Sequence, residues 1–331
     1  MALKVAINGT GRIGLIVAKI IATRDDIELV ALNTTAKPEM LEYLLKFDSV
    51  HRGVDAKIID ENTIAIAGQN VRMFRERDME KVDFGSAGAE VVIECTGVFL
   101  TQETCQKHLK NGVRKVVMSA PATDDSPMYV IGVNSDSYKG EAIISNASCT
   151  TNCLGPITKV LDDAFGIENA LMTTIHSYTN DQNVLDVKHA KDPRRARAAA
   201  LNMIPTSTGA AKAIGKVMPH LQGKLNGYAM RVPTPDVSVV DLTANLSRSV
   251  TKEEIYAAFT AASEGAFKGL IEVDNDKRVS SDFVGSTFSA TYVPDMTSVI
   301  GGTTVKVLAW YDNEWGYSSR LVDMTVLVGN H

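Results

Sequence analysis

Cysteine is scarce in this sequence: four in 331 residues, at positions 95, 105, 149 and 153. A structural zinc site needs about four converging ligands. Cys149 and Cys153 lack the C-x2-C spacing, and no second cysteine pair exists to complete a site, so no metal is expected. A chain of this length can bury a sufficient core without disulfides. Basic charge is also short. The formal net charge is −5 with a pI of about 5.7, which argues against nucleic acid as a partner. No run approaches the roughly 18–20 apolar residues that span a bilayer, so no membrane partner is expected. The opening MALKVAINGTGRIG enters a strand pattern directly and has none of the layout of a signal peptide. The expected setting is cytoplasmic and reducing, which disfavours disulfides. Internal repeats, low-complexity tracts and long linkers are missing, and at roughly 100–200 residues per domain the length predicts two domains.

What is present is pattern. LKVAIN (3–8) reads as a buried strand, GTGRIG follows, LIVAKIIAT (15–23) reads as a helix, and DIELVAL (26–32) as a second strand. Gly9, Gly11 and Gly14 hold the G-x-G-x-x-G spacing. The first glycine permits a tight turn, the second lets the backbone approach a pyrophosphate, and the third lets helix and strand pack. The helix start then offers free N–H groups to the anion. In this strand–turn–helix context the motif predicts a dinucleotide. Buried runs at 89–97 and 114–121 end in small residues, which places Thr96, Gly97, Ser119 and Ala120 at strand ends where such ligands bind. Cys95 reads as core. TIAIAG and VRMF (63–74) read as an antiparallel insertion.

The acidic residue that usually holds the ribose of NAD lies about twenty positions after the glycine turn. Here that place is Asn33, Thr34, Thr35, with Lys37 beyond. Without a carboxylate, a 2′-phosphate meets no repulsion there, and hydroxyls and a cation can bind it. NADP is the expected cofactor, with NAD held by neutral hydrogen bonds as the alternative.

SNASCTTNC (145–153) leads from a strand pattern into CTTNCLGPITKVLDDAF (149–165), which reads as a helix with Cys149 in its first turn. A helix N-terminus favours a thiolate. Cys153 falls one turn deeper and reads as a packing residue. His176, closing the strand-like MTTIH, is the candidate proton partner of Cys149.

NGTGRIG at 8, SNASCTTNC at 145, HSYTNDQ at 176, RRARAAALNMIPTSTGAAKA at 194, RVPTPDVSVVDL at 231 and WYDNEWGYSSR at 310 occur in this order. Over essentially its full length the chain resembles the phosphorylating glyceraldehyde-3-phosphate dehydrogenases, with HSYTNDQ and RRARAAALN like the bacterial and chloroplast branch. The resemblance implies that Cys149 attacks the aldehyde and His176 activates it. It implies a substrate-phosphate site at Thr179, Asp181 and Arg231. A site for inorganic phosphate would comprise Ser148, Thr150, Thr208, Gly209 and an arginine of the 194–197 run, Arg194 or Arg195. The implied cofactor set is Gly9, Gly11, Arg12, Ile13, Gly14, Asn33, Thr34, Thr35, Arg77, Thr96, Gly97, Ser119, Asn180, Lys188, Asn313 and Tyr317. Within it, Asn313 would meet the nicotinamide carboxamide and Tyr317 would pack on the ring. Partners would be a small phosphorylated substrate, inorganic phosphate and further copies of the chain in a homotetramer.

Departures from the pattern are Thr10, where an aromatic is common, Leu15 for an arginine, Thr34 for the NAD-selecting aspartate, and Val187-Lys188 for a Leu-Pro pair. Thr34 and Lys188 both favour a 2′-phosphate. The expected architecture is α/β: a Rossmann doubly wound domain over 1–148 plus a returning C-terminal helix at 316–331, and an α+β catalytic domain over 149–315, mostly antiparallel sheet. Strands are expected at 237–246, 278–283, 288–293 and 303–311. The rival readings are an erythrose-4-phosphate dehydrogenase and a non-catalytic surface-binding protein of the same fold.

Overall fold

The computed structural model describes residues 2–190 and 192–331. They form two compact units, one of residues 2–131, 135–148 and 318–331, the other of 132–134, 149–190 and 192–317.

The first unit is built on eight strands: β1 (Leu3–Asn8), β2 (Ile27–Asn33), β3 (Ala56–Asp60), β4 (Thr63–Ile66), β5 (Gln69–Phe74), β6 (Val91–Glu94), β7 (Lys115–Met118) and β8 (Ile143–Ser145). Their order in the sheet is β3-β4-β5-β2-β1-β6-β7-β8. The run from β5 to β8 is parallel, and β3–β4–β5 is an antiparallel meander at one edge. β1, β6 and β7 are mostly apolar and, Lys4 apart, buried along their length, as parallel strands covered on both faces require. Helices α1 (Arg12–Ile21), α2 (Pro38–Lys46) and the short α3 (Gln102–Cys105) connect them. A Cβ on Gly14 would stand 1.9 Å from the Gly9 carbonyl oxygen, so only glycine lets α1 start this close to β1. Asp48 secures the far side of α1. Burial opposes its ionisation, but Lys19 at 2.8 Å, two backbone N–H groups and Arg12 at 3.0 Å hold it well below the usual carboxylate range.

The second unit carries β9 (Ile167–Ser177), β10 (Ile204–Ser207), β11 (Leu225–Val232), β12 (Ser238–Leu246), β13 (Ile271–Val273), β14 (Ala290–Tyr292), β15 (Ser298–Ile300) and β16 (Thr304–Tyr311). The sheet order is β10-β11-β9-β12-β16-β14-β13, with β15 on β16. Pairing is antiparallel except for β9–β11 and β13–β14. On it lie α4 (Cys149–Phe165), α5 (Ala210–Val217) and α6 (Lys252–Glu264). α6 opens with a capping box between Thr251 and Glu254.

The last helix, α7 (Trp315–Gly329), leaves the second unit, and from Ser318 onward it belongs to the first. There Asp323 pairs with Arg24, and Arg114 donates to the Gly329 carbonyl.

The strand expected at 278–283 is a turn instead, ending in a 3-10 segment at Ser280–Phe283. Asp274 accepts the backbone N–H groups of Asp276 and Arg278 and the Arg278 side chain, which winds the segment around one carboxylate. VRMF, expected in an antiparallel insertion, pairs antiparallel with β4 and also parallel with β2.

Candidate active site

Two sets of groups stand out, one in each unit. In the first unit a cleft of about 460 Å³ opens at the carboxyl ends of β1, β2 and β6. Its lining includes Gly9, Gly11, Asn33, Thr34, Thr35, Arg77 and Thr96 of the predicted set, together with Thr10, Ala36, Glu76 and Cys95. Gly9 has a positive φ of 99°, and a Cβ there would meet Thr96 at 2.9 Å. A Cβ on Gly11 would meet nothing within 4 Å, so the missing side chain leaves room for a ligand at the start of α1. These are the properties a pyrophosphate cradle requires.

Arg12, Ile13, Gly14, Gly97 and Ser119 are in this unit but do not line the cleft. Arg12 is turned to Asp48, and Gly14 serves packing. The Ser119 backbone N–H donates to the Glu94 carbonyl. Lys37 does not line the cleft either; the cation there is Arg77. Thr34 is buried, and its hydroxyl lies 2.5 Å from that of Thr10 while accepting the Ala36 N–H. Thr10 appears in the sequence only as a departure from an aromatic, a change that gives no direct sign of this hydroxyl pair. Cys95, read as core, borders the cleft. Burial first and the nearby Glu94 second push its thiol far up, so it is no nucleophile.

In the second unit Cys149 is the first residue of α4 and His176 sits near the end of β9. Their Sγ and Nε2 atoms are 3.5 Å apart. β11 lies parallel to β9 with Arg231 beside His176 in register. This brings Arg231 Nη1 to 2.8 Å from His176 Nδ1 and 2.9 Å from the Ser177 carbonyl. Nδ1 is itself 2.7 Å from that carbonyl. The contact with Ser177 needs a proton on Nδ1, whereas accepting from Arg231 needs a bare nitrogen, so the two neighbours compete for the tautomer. Burial and then Arg231 push His176 down to about 3, and the imidazole is neutral at physiological pH.

The helix start was expected to lower the Cys149 thiol. Burial outweighs it and pushes the thiol up, while the Arg231 charge, the Thr150 hydroxyl and the Thr150 and Cys149 N–H groups pull the other way. The resting pair is therefore a thiol beside a neutral imidazole. Cys153 is wholly buried, 3.9 Å from the Ala309 carbonyl, and its thiol is pushed far up by burial. All four cysteines are free.

The Tyr311 hydroxyl lies 2.9 Å from that of Thr150 and 2.8 Å from that of Thr174, and its ring stands edge-on to His176. It thereby fixes the first turn of α4 against β9. No signal in the sequence singled out Tyr311 beyond a buried aromatic in a strand. Asn313 Oδ1 accepts from both Ser177 Oγ at 2.9 Å and Ser238 Oγ at 2.7 Å. With the carbonyl so occupied, the amide N–H₂ is the end free to meet a ligand. Tyr317 is buried in the first turn of α7.

Thr150, Thr208 and Gly209 sit at the starts of α4 and α5, and the Thr208 hydroxyl accepts the Ala210 N–H. Ser148 ends the first unit immediately before Cys149. In the arginine run, Arg195 folds back to Thr206 Oγ1, the Ser207 carbonyl and Asp181. Arg197 pairs with Asp186, and Arg194 is exposed. Thr179 is half-buried, and Asn180 and Lys188 are exposed in the loop after β9.

Among the described residues no helix is long and apolar enough to cross a membrane. Two family models match the chain: glyceraldehyde 3-phosphate dehydrogenase, NAD binding domain, over residues 3–102, and the C-terminal domain of the same enzyme over 148–313. Among named relatives, the chain is 51% identical over 333 residues to glyceraldehyde-3-phosphate dehydrogenase of Geobacillus stearothermophilus, covering 100% of this chain and 99% of the other. It is 50% identical to glyceraldehyde-3-phosphate dehydrogenase 1 of Bacillus subtilis (strain 168), covering 99% and 98%. It is 49% identical to the cytosolic glyceraldehyde-3-phosphate dehydrogenase of Pinus sylvestris, covering 98% and 96%.

Proposed function

The chain belongs to the glyceraldehyde-3-phosphate dehydrogenase family of oxidoreductases, and from that premise we propose that it oxidises and phosphorylates D-glyceraldehyde 3-phosphate through a thioester on Cys149. The observation that carries this reading is Cys149 Sγ at 3.5 Å from His176 Nε2, with Arg231 behind the imidazole.

As sulfur bonds to the aldehyde carbon, the thiol proton passes through His176 Nε2 to the carbonyl oxygen, giving a hemithioacetal. This step uses the tautomer with the proton on Nδ1, directed to the Ser177 carbonyl, which leaves Nε2 bare toward the sulfur and Arg231 donating to that same carbonyl rather than to the ring. The Cys149 N–H at the start of α4 stabilises charge on the substrate oxygen. A bound nicotinamide supplies the hydride acceptor. His176 takes the hydroxyl proton as that oxidation leaves a thioester on Cys149. Because His176 is so weakly basic, it stores this proton poorly and hands it on. Inorganic phosphate then attacks the thioester carbon and Cys149 leaves as thiolate, giving 1,3-bisphosphoglycerate. Arg231 with Thr179 would hold the substrate phosphate. Ser148, Thr150, Thr208, Gly209 and Arg195 would hold the attacking one, since helix-start N–H groups, hydroxyls and guanidinium forks suit phosphate.

The residues at the first unit's cleft fit a dinucleotide. NADP is the preferred form in this reading, with NAD also accepted. Its support is Thr34 in place of an acid, the Thr10–Thr34 hydroxyl pair, Arg77 at the cleft and the exposed Lys188. Asn313 would meet the carboxamide and Tyr317 the ring. The enzyme would work in the cytosol as a homotetramer and, if NADP-linked, in the biosynthetic direction. Steady-state rates with NAD and NADP at fixed aldehyde and phosphate test this. Phosphate-dependent reduction of either is expected, with NADP at least equal. An NAD preference of about a hundredfold, roughly 2.7 kcal/mol, would overturn the NADP part alone.

A further inference from the structure

Beneath the cleft lies a chain of buried polar groups that the chemistry above does not use. Glu94, Asn8 and Asn33 close three neighbouring strands, β6, β1 and β2, and stand side by side in register. All three are buried, Glu94 with 0% of its surface exposed. Glu94 Oε2 accepts from Asn8 Nδ2 at 2.5 Å, and Asn8 Oδ1 accepts from Asn33 Nδ2 at 2.8 Å. Asn33 then clasps the Glu76 backbone, accepting its N–H at 2.9 Å and donating to its carbonyl at 2.8 Å. Glu94 Oε1 accepts the Thr96 N–H at 2.8 Å and also its hydroxyl. Three walls of the cleft, at Asn33, Glu76 and Thr96, thus depend on the position of one carboxylate.

Among the described residues no lysine or arginine pairs with Glu94. Its remaining partner is His108 Nε2 at 3.1 Å. The His108 side chain is fully buried, boxed by the rings of Phe84 at 5.8 Å and Phe99 at 6.5 Å between centroids. Its Nδ1 has no hydrogen-bond partner among the described residues. A proton on Nδ1 would be buried without an acceptor, so the ring proton belongs on Nε2, where it donates to Glu94. Glu94 then has donors on both oxygens, and its carboxylate cannot rotate without breaking several hydrogen bonds at once.

We propose that His108 and Glu94 are positioning residues for the dinucleotide, holding the ends of β1, β2 and β6 in the shape that receives it through the Glu94–Asn8–Asn33 relay. This rests on the reading that the cleft takes a dinucleotide. Because both Asn33 amide groups are spent on Asn8 and the Glu76 backbone and the Thr34 hydroxyl stands outside the relay, it serves NAD and NADP alike.

Three variants of the full chain test it: His108→Phe, which keeps an aromatic ring but removes the donor; His108→Gln, which keeps an N–H of similar reach; and Glu94→Gln, which turns an acceptor into a donor facing donors. Each is measured for NAD and NADP affinity by calorimetric titration, for kcat and cofactor KM, and for Tm. Loss of one buried charge-assisted bond corresponds to on the order of a tenfold weaker affinity. H108F and E94Q should therefore raise Kd and KM about tenfold for both nucleotides, with kcat within about twofold and their ratio unmoved. H108Q should recover most of the affinity. Unchanged affinity in H108F and E94Q, or equal loss in H108F and H108Q that tracks Tm, would sink the positioning role while leaving the dinucleotide site intact. If the unaltered protein bound neither nucleotide, the premise would fall and this proposal with it.

Discussion

The cleft of the first unit takes Gly9, Thr10 and Gly11 from one turn and Asn33 to Ala36 from the next. The thiol site takes Cys149, His176, Arg231 and Tyr311 from four separate segments, joined only when β9, β11 and β16 share a sheet with α4 laid on it. The cleft works largely with backbone: positive φ, absent Cβ atoms and strand ends. The thiol site works with titratable side chains in a buried setting, and its backbone is strained where the chemistry sits. Ala147 (φ 58°) lies two residues before Cys149, and Val237 (φ 65°), a β-branched residue, directly precedes the serine that orients Asn313. Such conformations persist where surrounding structure over-determines them. The difference teaches where single substitutions act: at the thiol site on kcat, at the cleft on affinity.

Cys149→Ser should break the comparison most sharply. A hydroxyl of pKa far above a thiol, beside an imidazole this weakly basic, should cost about 10⁴-fold or more in kcat. Cofactor affinity and Tm should stay near those of the unaltered protein. Initial rates of phosphate-dependent cofactor reduction decide it, and a serine variant with near-normal turnover would end the thioester mechanism.

His176→Asn comes next. It keeps a side chain of similar reach to Nδ1 and removes the base, and general-base loss is typically about 10²–10⁴-fold. Alkylation of Cys149 by iodoacetamide should slow as well. If alkylation were unchanged while turnover collapsed, His176 would act after sulfur attack rather than during it.

At the cleft, Thr34→Asp should move affinity and leave chemistry alone. A carboxylate at this buried position would face a 2′-phosphate, and like-charge juxtaposition costs on the order of a few kcal/mol. NADP should therefore lose at least about tenfold in kcat/KM, with NAD unchanged or improved. A parallel loss for both nucleotides would place Thr34 in folding of the cleft instead of in selection.

This asymmetry also decided how much could be read beforehand. The cleft was legible because its parts are close in sequence and its physics is local: glycines at fixed spacing between a strand and a helix. The bounds of α4 and β1 followed from pattern for the same reason. The thiol and imidazole were nameable, but their 3.5 Å approach was not, since it depends on the start of α4 being laid against the end of β9. Tyr311, Ser177 and Ser238 lie within the motifs at 310, 176 and 231, but nothing local marked which groups their hydroxyls would meet. The turn at 278–283 was misread as a short strand because the residue that winds it, Asp274, lies upstream of the stretch. The Glu94–His108 pair was hidden in the same way, its members separated by a turn, α3 and a 3-10 segment.

The smallest expected effect concerns stability rather than rate. His176 is pushed down to about 3 in the folded chain, against 6.5 for an unperturbed histidine. Between those values the unfolded chain binds a proton that the folded chain refuses. Stability from this group is therefore fully present above about pH 6.5 and is lost as pH falls below it, down toward 3. For a single histidine this amounts to on the order of 1 kcal/mol between pH 7.5 and 6.0. Asparagine cannot titrate, so in His176→Asn the same interval should show a shallower fall in the urea midpoint. The comparison needs slopes, not absolute stabilities, which removes whatever the substitution costs in packing. Cleft substitutions that add no ionisable group should leave that slope alone, because the cleft-lining residues include no histidine. Equal slopes for the unaltered chain and the asparagine variant would mean that the imidazole keeps an ordinary basicity when folded. It would then be able to form a lasting ion pair with Cys149 before substrate arrives, contrary to the thiol–imidazole resting state.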